Sequence, residues 1–225
     1  MKHELRIGVV DSGHSVAQRG QVSAGRRFYL VEDGLADDEL RDDPLGHGSA
    51  VVEAISRRAA SARFCVAQVF DQRGVTSALQ IATAIDWLVA QDVRVINLSL
   101  GLRQDRSLLR EACSAALARG VLLCASSPAQ GEGVYPASYP QVLRVTGDAR
   151  CGEHEWSWLN SQQADFAACV QGMYPGQSGA SLGCAALTGH IANFLAGHLD
   201  ASNAQVLEWL RDNARYHGPE QRVWT

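Results

Sequence analysis

Long hydrophobic runs are missing from this sequence. No stretch approaches the roughly 20 consecutive apolar residues that cross a bilayer, so no membrane partner is expected. No cluster of Lys and Arg interleaves with aromatic residues either; 20 basic and 24 acidic residues are mixed along the chain for a net charge of −4, and nucleic acid is not an expected partner. The opening MKHELRIGVVDSG lacks the charged, apolar and small-residue regions of a secretion signal, so the expected location is the cytoplasm. Six cysteines, at 65, 113, 124, 151, 169 and 184, include no C-x-x-C pair, and several stand in apolar runs such as RFCVAQVF and VLLCAS. They are expected to be buried free thiols in a reducing compartment. The seven histidines form no H-x-x-x-H, no Cys/His cluster has ligand spacing, and His14 near Asp11 is a poor two-residue site, so neither metal nor cofactor is expected.

What is present is enough for one folded unit. At 225 residues and 46% hydrophobic, with no repeat, low-complexity tract or linker, residues 1–225 read as a single domain. Short β-rich runs occur at 5–10 (LRIGVV), 63–70 (RFCVAQVF), 93–98 (VRVINL), 121–125 (VLLCA) and 141–146 (QVLRVT). Helical patterns stand between and after them. They cover 47–59, then 76–91 with Ile81, Ile85 and Leu88 on one face, 105–119 with Leu109, Ala112, Ala116 and Leu117, 178–197, and about 203–214. Alternation of this kind predicts an α/β fold: a parallel central sheet with helices on both faces, since each parallel crossover needs a helix-length connection. Residues 15–45 and 147–177 read as irregular.

In such sheets chemistry gathers at the carboxyl ends of strands. Three residues stand at such junctions: Asp11 in IGVVDSG, His47 in DDPLGHGSAVVEAI and Ser178 in GQSGAS. A hydroxyl to attack, an imidazole to take its proton and a carboxylate to hold the imidazole tautomer are the parts of acyl transfer. Each also has a structural reading: Asp11 as a turn cap, His47 as a helix start, Ser178 as an N-cap with Ser181 in the first turn.

Taken together, the three segments resemble the subtilisin-like serine proteases (subtilases). IGVVDSG is similar to the family's aspartate motif, GHGSAVV to its H-G-[ST]-x-V, and GQSGASLGCAA to its G-T-S-x-A-x-P serine motif. VINLSLG at 95–101 resembles the strand beside bound substrate, while YPASYPQVLRVTG and the FAAC segment after Asp165 resemble two further family stretches. The likeness runs from about residue 5 to 215. It implies a three-layer subtilisin-like fold and a serine endopeptidase with Ser178 as nucleophile, His47 as general base and acid, and Asp11 as the orienting carboxylate.

The departures from the motifs carry expectations of their own. Leu182 replaces the serine motif's proline, at a small local cost. In CASSPAQGEG, Ala129 falls where the family has the asparagine that donates to the oxyanion, with Pro128 before it. Losing one such donor costs about 10²–10³ in rate, a figure that comes from a subtilisin, and Gln130 is the candidate replacement. The resemblance implies an S1 pocket walled by Ser99, Leu100 and Gly101 and by Ala125, Ser126 and Ser127, with Val134 at its floor. A shortened pocket favours small P1 residues. The short ISRRAASA connection implies no calcium at the relatives' site, and with so few residues ahead of residue 5 no propeptide of the relatives' kind is expected. Restraint would then come from narrow specificity, slow chemistry or the need for an activating protein partner. The expected partner is a peptide or protein substrate, such as a precursor peptide undergoing maturation. The competing function is a weakened subtilase-like peptide-binding module.

Overall fold

The computed structural model describes residues 4–172 and 179–220. The elements, in chain order, are β1 (Arg6–Asp11), β2 (Val22–Val31), β3 (Gly34–Asp38), α1 (His47–Ser56), β4 (Arg63–Gln68), α2 (Ala78–Ala90) and β5 (Val95–Leu98). There follow α3 (Ser107–Ala118), β6 (Leu122–Ser126), β7 (Leu143–Gly147), β8 (Trp156–Trp158), β9 (Phe166–Ala168), α4 (Ala180–Gly197), α5 (Asn203–Asp212) and β10 (Tyr216–His217). One sheet holds all the strands in the order β10-β8-β9-β7-β6-β5-β1-β4-β2-β3.

The apolar runs form the interior of this sheet because they can be buried on both faces. β1 lies between β4 and β5, parallel to both, and β6 and β7 continue the parallel order. Ile7 and Val9 of β1 enter one core with Val51, Val52 and Ile55 of α1 and Leu187, Ile191 and Leu195 of α4. Val10 enters the other, with Ile81, Ile85 and Leu88 of α2 and Leu109, Ala112 and Ala116 of α3. Helix α4 is apolar on most sides, as a helix covered by α1, α5 and the sheet must be. Ser77 caps α2 by accepting from the Gln80 N–H, and Ser202 with Gln205 forms a capping box on α5.

Two corrections concern the stretches expected to be irregular. Within 15–45, β2 and β3 form an antiparallel hairpin, from Arg27 opposite Asp38 to Val31 opposite Gly34. Glu32 and Asp33 make the turn, and Gly34 sits at φ +141°. These strands are half-exposed and β2 is irregular between Val22 and Ala24, so they lack the continuous apolar run of the central strands. Within 147–177, β8 and β9 pair antiparallel over three residues each, too short for any periodicity. The sheet is thus parallel in its centre and acquires antiparallel pairs toward each edge, where one side no longer has to be covered by a crossover helix.

Sheet order departs from β1 in both directions, to β4 on one side and β5 on the other. The carboxyl end of β1 is therefore a topological switch point, where a crevice opens. Asp11 is the residue that stands there.

Candidate active site

Asp11 is fully buried, and its Oδ1 accepts the Ser12 N–H at 2.7 Å and the Ser12 hydroxyl at 3.3 Å. The same oxygen lies 2.7 Å from His47 Nδ1, so the Nδ1–H tautomer donates to it and leaves Nε2 as the basic nitrogen. The second carboxylate oxygen, Oδ2, is buried with no hydrogen-bond partner among the described residues. His47 keeps 40% side-chain exposure, so the imidazole is reachable from solvent while the carboxylate behind it is not.

Residues 36 apart meet because small groups let backbones touch. A Cβ on Gly48 would stand 2.3 Å from the Gly13 carbonyl oxygen, so only glycine after His47 lets the first turn of α1 lie on the turn after β1. Ser12 fastens the junction by accepting the Gly48 N–H at 2.9 Å. Gln68, at the end of β4, donates to the Ser12 carbonyl at 2.7 Å and accepts the Arg41 N–H. Asp43 caps α1 from upstream, accepting the Ser49 N–H at 2.8 Å, the Ser49 hydroxyl at 2.6 Å, and the Leu45 and Gly46 N–H groups. Burial pushes the Asp43 carboxyl up, but hydrogen bonds from Ser49, Ser12 and Leu45 together outweigh it and leave the group below its ordinary value. The Asp11 hydrogen bond raises the His47 pKa above 6.5; burial opposes this, and the charges of Asp11 and Asp43 add to the rise.

Ser178 and the rest of 173–178 lie outside the described residues. The described helix starts at Ala180 after Gly179, whose φ is +120°. Its first turn lies against β7, since a Cβ on Gly183 would stand 2.3 Å from the Thr146 carbonyl oxygen. Leu182, in place of the motif's proline, is buried in the core shared with α1.

The residues expected to line S1 come together. Leu98 pairs with Ala125 across β5 and β6, and Ser126 Oγ donates to the Leu100 carbonyl at 3.4 Å. Leu102 and Tyr135 exchange two backbone hydrogen bonds, at 2.7 and 2.8 Å. That bridge brings Val134 onto Gly101, where an added Cβ would meet Val134 Cγ2 at 2.6 Å. Ser99 is buried and bonded to Ser181, and Ser127 Oγ donates to the Gln163 carbonyl at 2.7 Å. Ala129 and Gln130 are exposed on the loop after β6, which Gln163 Nε2 secures from behind through the Gly131 carbonyl at 2.9 Å. His14 bonds to the Ser15 carbonyl through Nδ1, and among the described residues no three His, Cys, Asp or Glu side chains are grouped for a metal. No helix among them is long and apolar enough to cross a membrane. Sequence reasoning missed Ser12, Asp43 and Gln68; only the serine in D-S-G, adjoining the aspartate, signalled its part.

The subtilase family model matches residues 4–223. The chain belongs to the subtilase family of serine endopeptidases. This subtilase is 29% identical over 154 residues to the minor extracellular protease Epr of Bacillus subtilis (strain 168), covering 63% of this chain and 23% of Epr. Over 229 residues it is 28% identical to the M-protease of Shouchella clausii and to subtilisin Savinase of Lederbergia lenta. Both matches cover 93% of this chain, with 59% and 83% of those proteins respectively. The chain therefore spans under a quarter of Epr and under two thirds of M-protease. Among solved structures it shares its fold with a lanthipeptide protease, at a TM-score of 0.70 and 18% identity over 94% of this chain and 80% of that one. A second structure, described as S41 psychrophilic protease, has a TM-score of 0.67 and 22% identity over 93% and 82%.

Proposed function

We propose that residues 1–225 form a single catalytic domain that hydrolyses peptide bonds through Asp11, His47 and Ser178. The observation that carries this reading is the hydrogen bond from His47 to the buried Asp11 at the carboxyl end of β1. Ser178 Oγ attacks the scissile carbonyl carbon, and its proton passes to His47 Nε2. His47 then gives that proton to the leaving amine as the peptide C–N bond breaks, and water repeats the sequence on the acyl-enzyme. Asp11 keeps the tautomer and stabilises the imidazolium. The Ser178 N–H, with Gln130 in place of the missing asparagine at Ala129, holds the oxyanion.

We read the substrate as a particular peptide or protein with a small P1 residue, because Val134 fills space against Gly101. Maturation of a precursor peptide fits such selectivity, and the same fold serves a lanthipeptide protease. Six buried, unpaired cysteines suit a reducing compartment, which favours the cytoplasm. Ala129 is the observation behind a second reading, a peptide-binding module with weakened catalysis.

The deciding experiment treats purified protein with a fluorophosphonate and locates the adduct by mass spectrometry. Ser178 is expected to be modified, with modification abolished by Ser178→Ala or His47→Ala and kept by Ser181→Ala. An adduct on Ser181, or none in folded protein, would overturn the enzyme reading in favour of the binding module.

A further inference from the structure

Between α4 and the end of β5 runs a chain of hydrogen bonds that is buried at Thr188, Asn97 and Ser99 and half-exposed at Ser181. Thr188 Oγ1 donates to Asn97 Oδ1 at 3.0 Å, Asn97 Nδ2 donates to Ser99 Oγ at 2.9 Å, and Ser99 Oγ donates to the Ser181 carbonyl at 3.0 Å. Ser181 Oγ answers by donating to the Ser99 carbonyl at 3.3 Å. Thr188 and Asn97 are fully buried and Ser99 nearly so. Sheet–helix contact of this kind is ordinarily made by apolar side chains. A buried polar chain gains little stability over them and costs much if any member is left unpaired.

The geometry gives the polar chain a use that apolar packing lacks. Thr188 follows Ser181 by seven residues, two helical turns on the same face. Asn97 stands in β5 and Ser99 just past its end, two residues on, and the hydrogen bond between them shows that both face α4. Helix and strand are thus tied at two points along their length, Ser181 to Ser99 at the catalytic end and Thr188 to Asn97 deeper in. Two directional ties set an angle as well as a distance. Because the two ties lie along one helix and one strand, a slip of either element disturbs both. Burial pushes the neighbouring Cys124 thiol up to about 12, so no thiolate competes for the Thr188 hydroxyl proton.

We propose that Thr188 and Asn97 are positioning residues for catalysis: through Ser99 and Ser181 they hold the start of α4 in register with segment 99–101. This inference rests on the reading of Ser178 as nucleophile and of segment 99–101 as the wall that orients the P1 residue. A substrate anchored at 99–101 presents its carbonyl at the right distance from Ser178 only while the two segments keep their register. A misplacement of about 1 Å costs about 10²-fold in rate. A small fluorophosphonate, which uses no P1 anchor, does not depend on that register.

The test compares Thr188→Val, Thr188→Ser and Ser181→Ala with wild type, each measured two ways. One readout is kcat and KM on the best quenched-fluorescent peptide of a cleavage library; the other is the rate of fluorophosphonate labelling at Ser178. Thr188→Val is expected to lower kcat about 10-fold while labelling stays within about two-fold, with the hydroxyl of Thr188→Ser restoring turnover. Ser181→Ala, at the half-exposed end, is expected to show the same split and guards against a valine variant that fails to fold. Labelling and turnover falling together in Thr188→Val, with kcat unchanged in Ser181→Ala, would mean a structural role only and overturn the proposal. Wild-type protein that takes no probe would instead remove the reading beneath it.

Discussion

The two helical layers of this subtilase are built differently. On the α2–α3 face, large side chains fill the space against the sheet: Ile81, Ile85, Leu88 and Leu109 are all fully buried. On the α1–α4 face, backbone approaches backbone at glycines. Gly48 lies on Gly13, Gly183 on Thr146, and Gly189 within 2.9 Å, measured from an added Cβ, of the Ile55 carbonyl oxygen. Side-chain packing tolerates small adjustments, because a cavity or a rotamer change absorbs them. Backbone contact has no such slack. The face that brings His47 to Asp11 and sets the start of α4 is therefore the one with little room for error, and the opposite face is mainly a source of stability.

One pair of substitutions would break this comparison most directly. Gly48→Ala forces the first turn of α1 away from the β1 turn, and is expected to lower kcat by about 10² or more through loss of the Asp11–His47 alignment. Leu88→Ala on the other face is expected to cost about 2–5 kcal/mol of unfolding free energy. Its kcat per folded molecule should stay within about two-fold. Denaturant unfolding run beside peptide turnover checks both, and equal activity losses in the two variants would remove the distinction between the faces.

A smaller effect sharpens the comparison at the pocket. Val134→Gly removes the side chain that rests on Gly101, and is expected to improve kcat/KM for Phe or Leu at P1 relative to Ala by roughly 10-fold, within the 1–3 kcal/mol such pockets discriminate. A cleavage profile in which the wild type already favours aromatic P1 residues would contradict the small-pocket reading.

The smallest expected effect is a shift along the pH axis. In the proposed mechanism His47 has to be neutral to accept a proton from Ser178, and the Asp11 hydrogen bond raises its pKa above 6.5, so the acid limb of kcat/KM should have its midpoint above that value. Asp43→Asn removes a charge that adds to the rise while keeping an acceptor for the Ser49 N–H; the limb should move toward lower pH. The same raised pKa has a stability consequence of the opposite sense. The contribution from protonated His47 is fully present below pH 6.5 and is lost as pH rises through the folded-state pKa, where activity appears. A kinetic midpoint below 6.5 in the wild type would contradict the assignment of His47 as the base.

Much of this molecule was legible in the chain because its signals are local. The five central strands are apolar runs, and the faces carrying Ile81, Ile85 and Leu88 or Leu109, Ala112 and Ala116 repeat at helical spacing. The order of IGVVDSG, GHGSAVV and GQSGAS placed Asp11 and His47 at element junctions, where the structure has them. The hairpin of β2 and β3 escaped because its strands are half-exposed and broken by Gly25, Arg26 and Arg27, although the Asp33-Gly34 pair stands where a turn is due. The three-residue strands β8 and β9 carry too few side chains to show a period.

Residue types and their spacing by themselves determined the α/β class, the positions of the central strands and helices, and which residues could serve as acid, base and nucleophile. Periodicity reflects burial of neighbouring residues, and burial is settled within a few turns or strand positions. Only the tertiary structure decided that Asp11 Oδ1 meets His47 Nδ1 across 36 residues, that Val134 rests on Gly101, and that Thr188 reaches Asn97 across 91. Such contacts depend on how closely two backbones approach, and that distance is set by glycines and partners far away in the chain, whose effect no local pattern records.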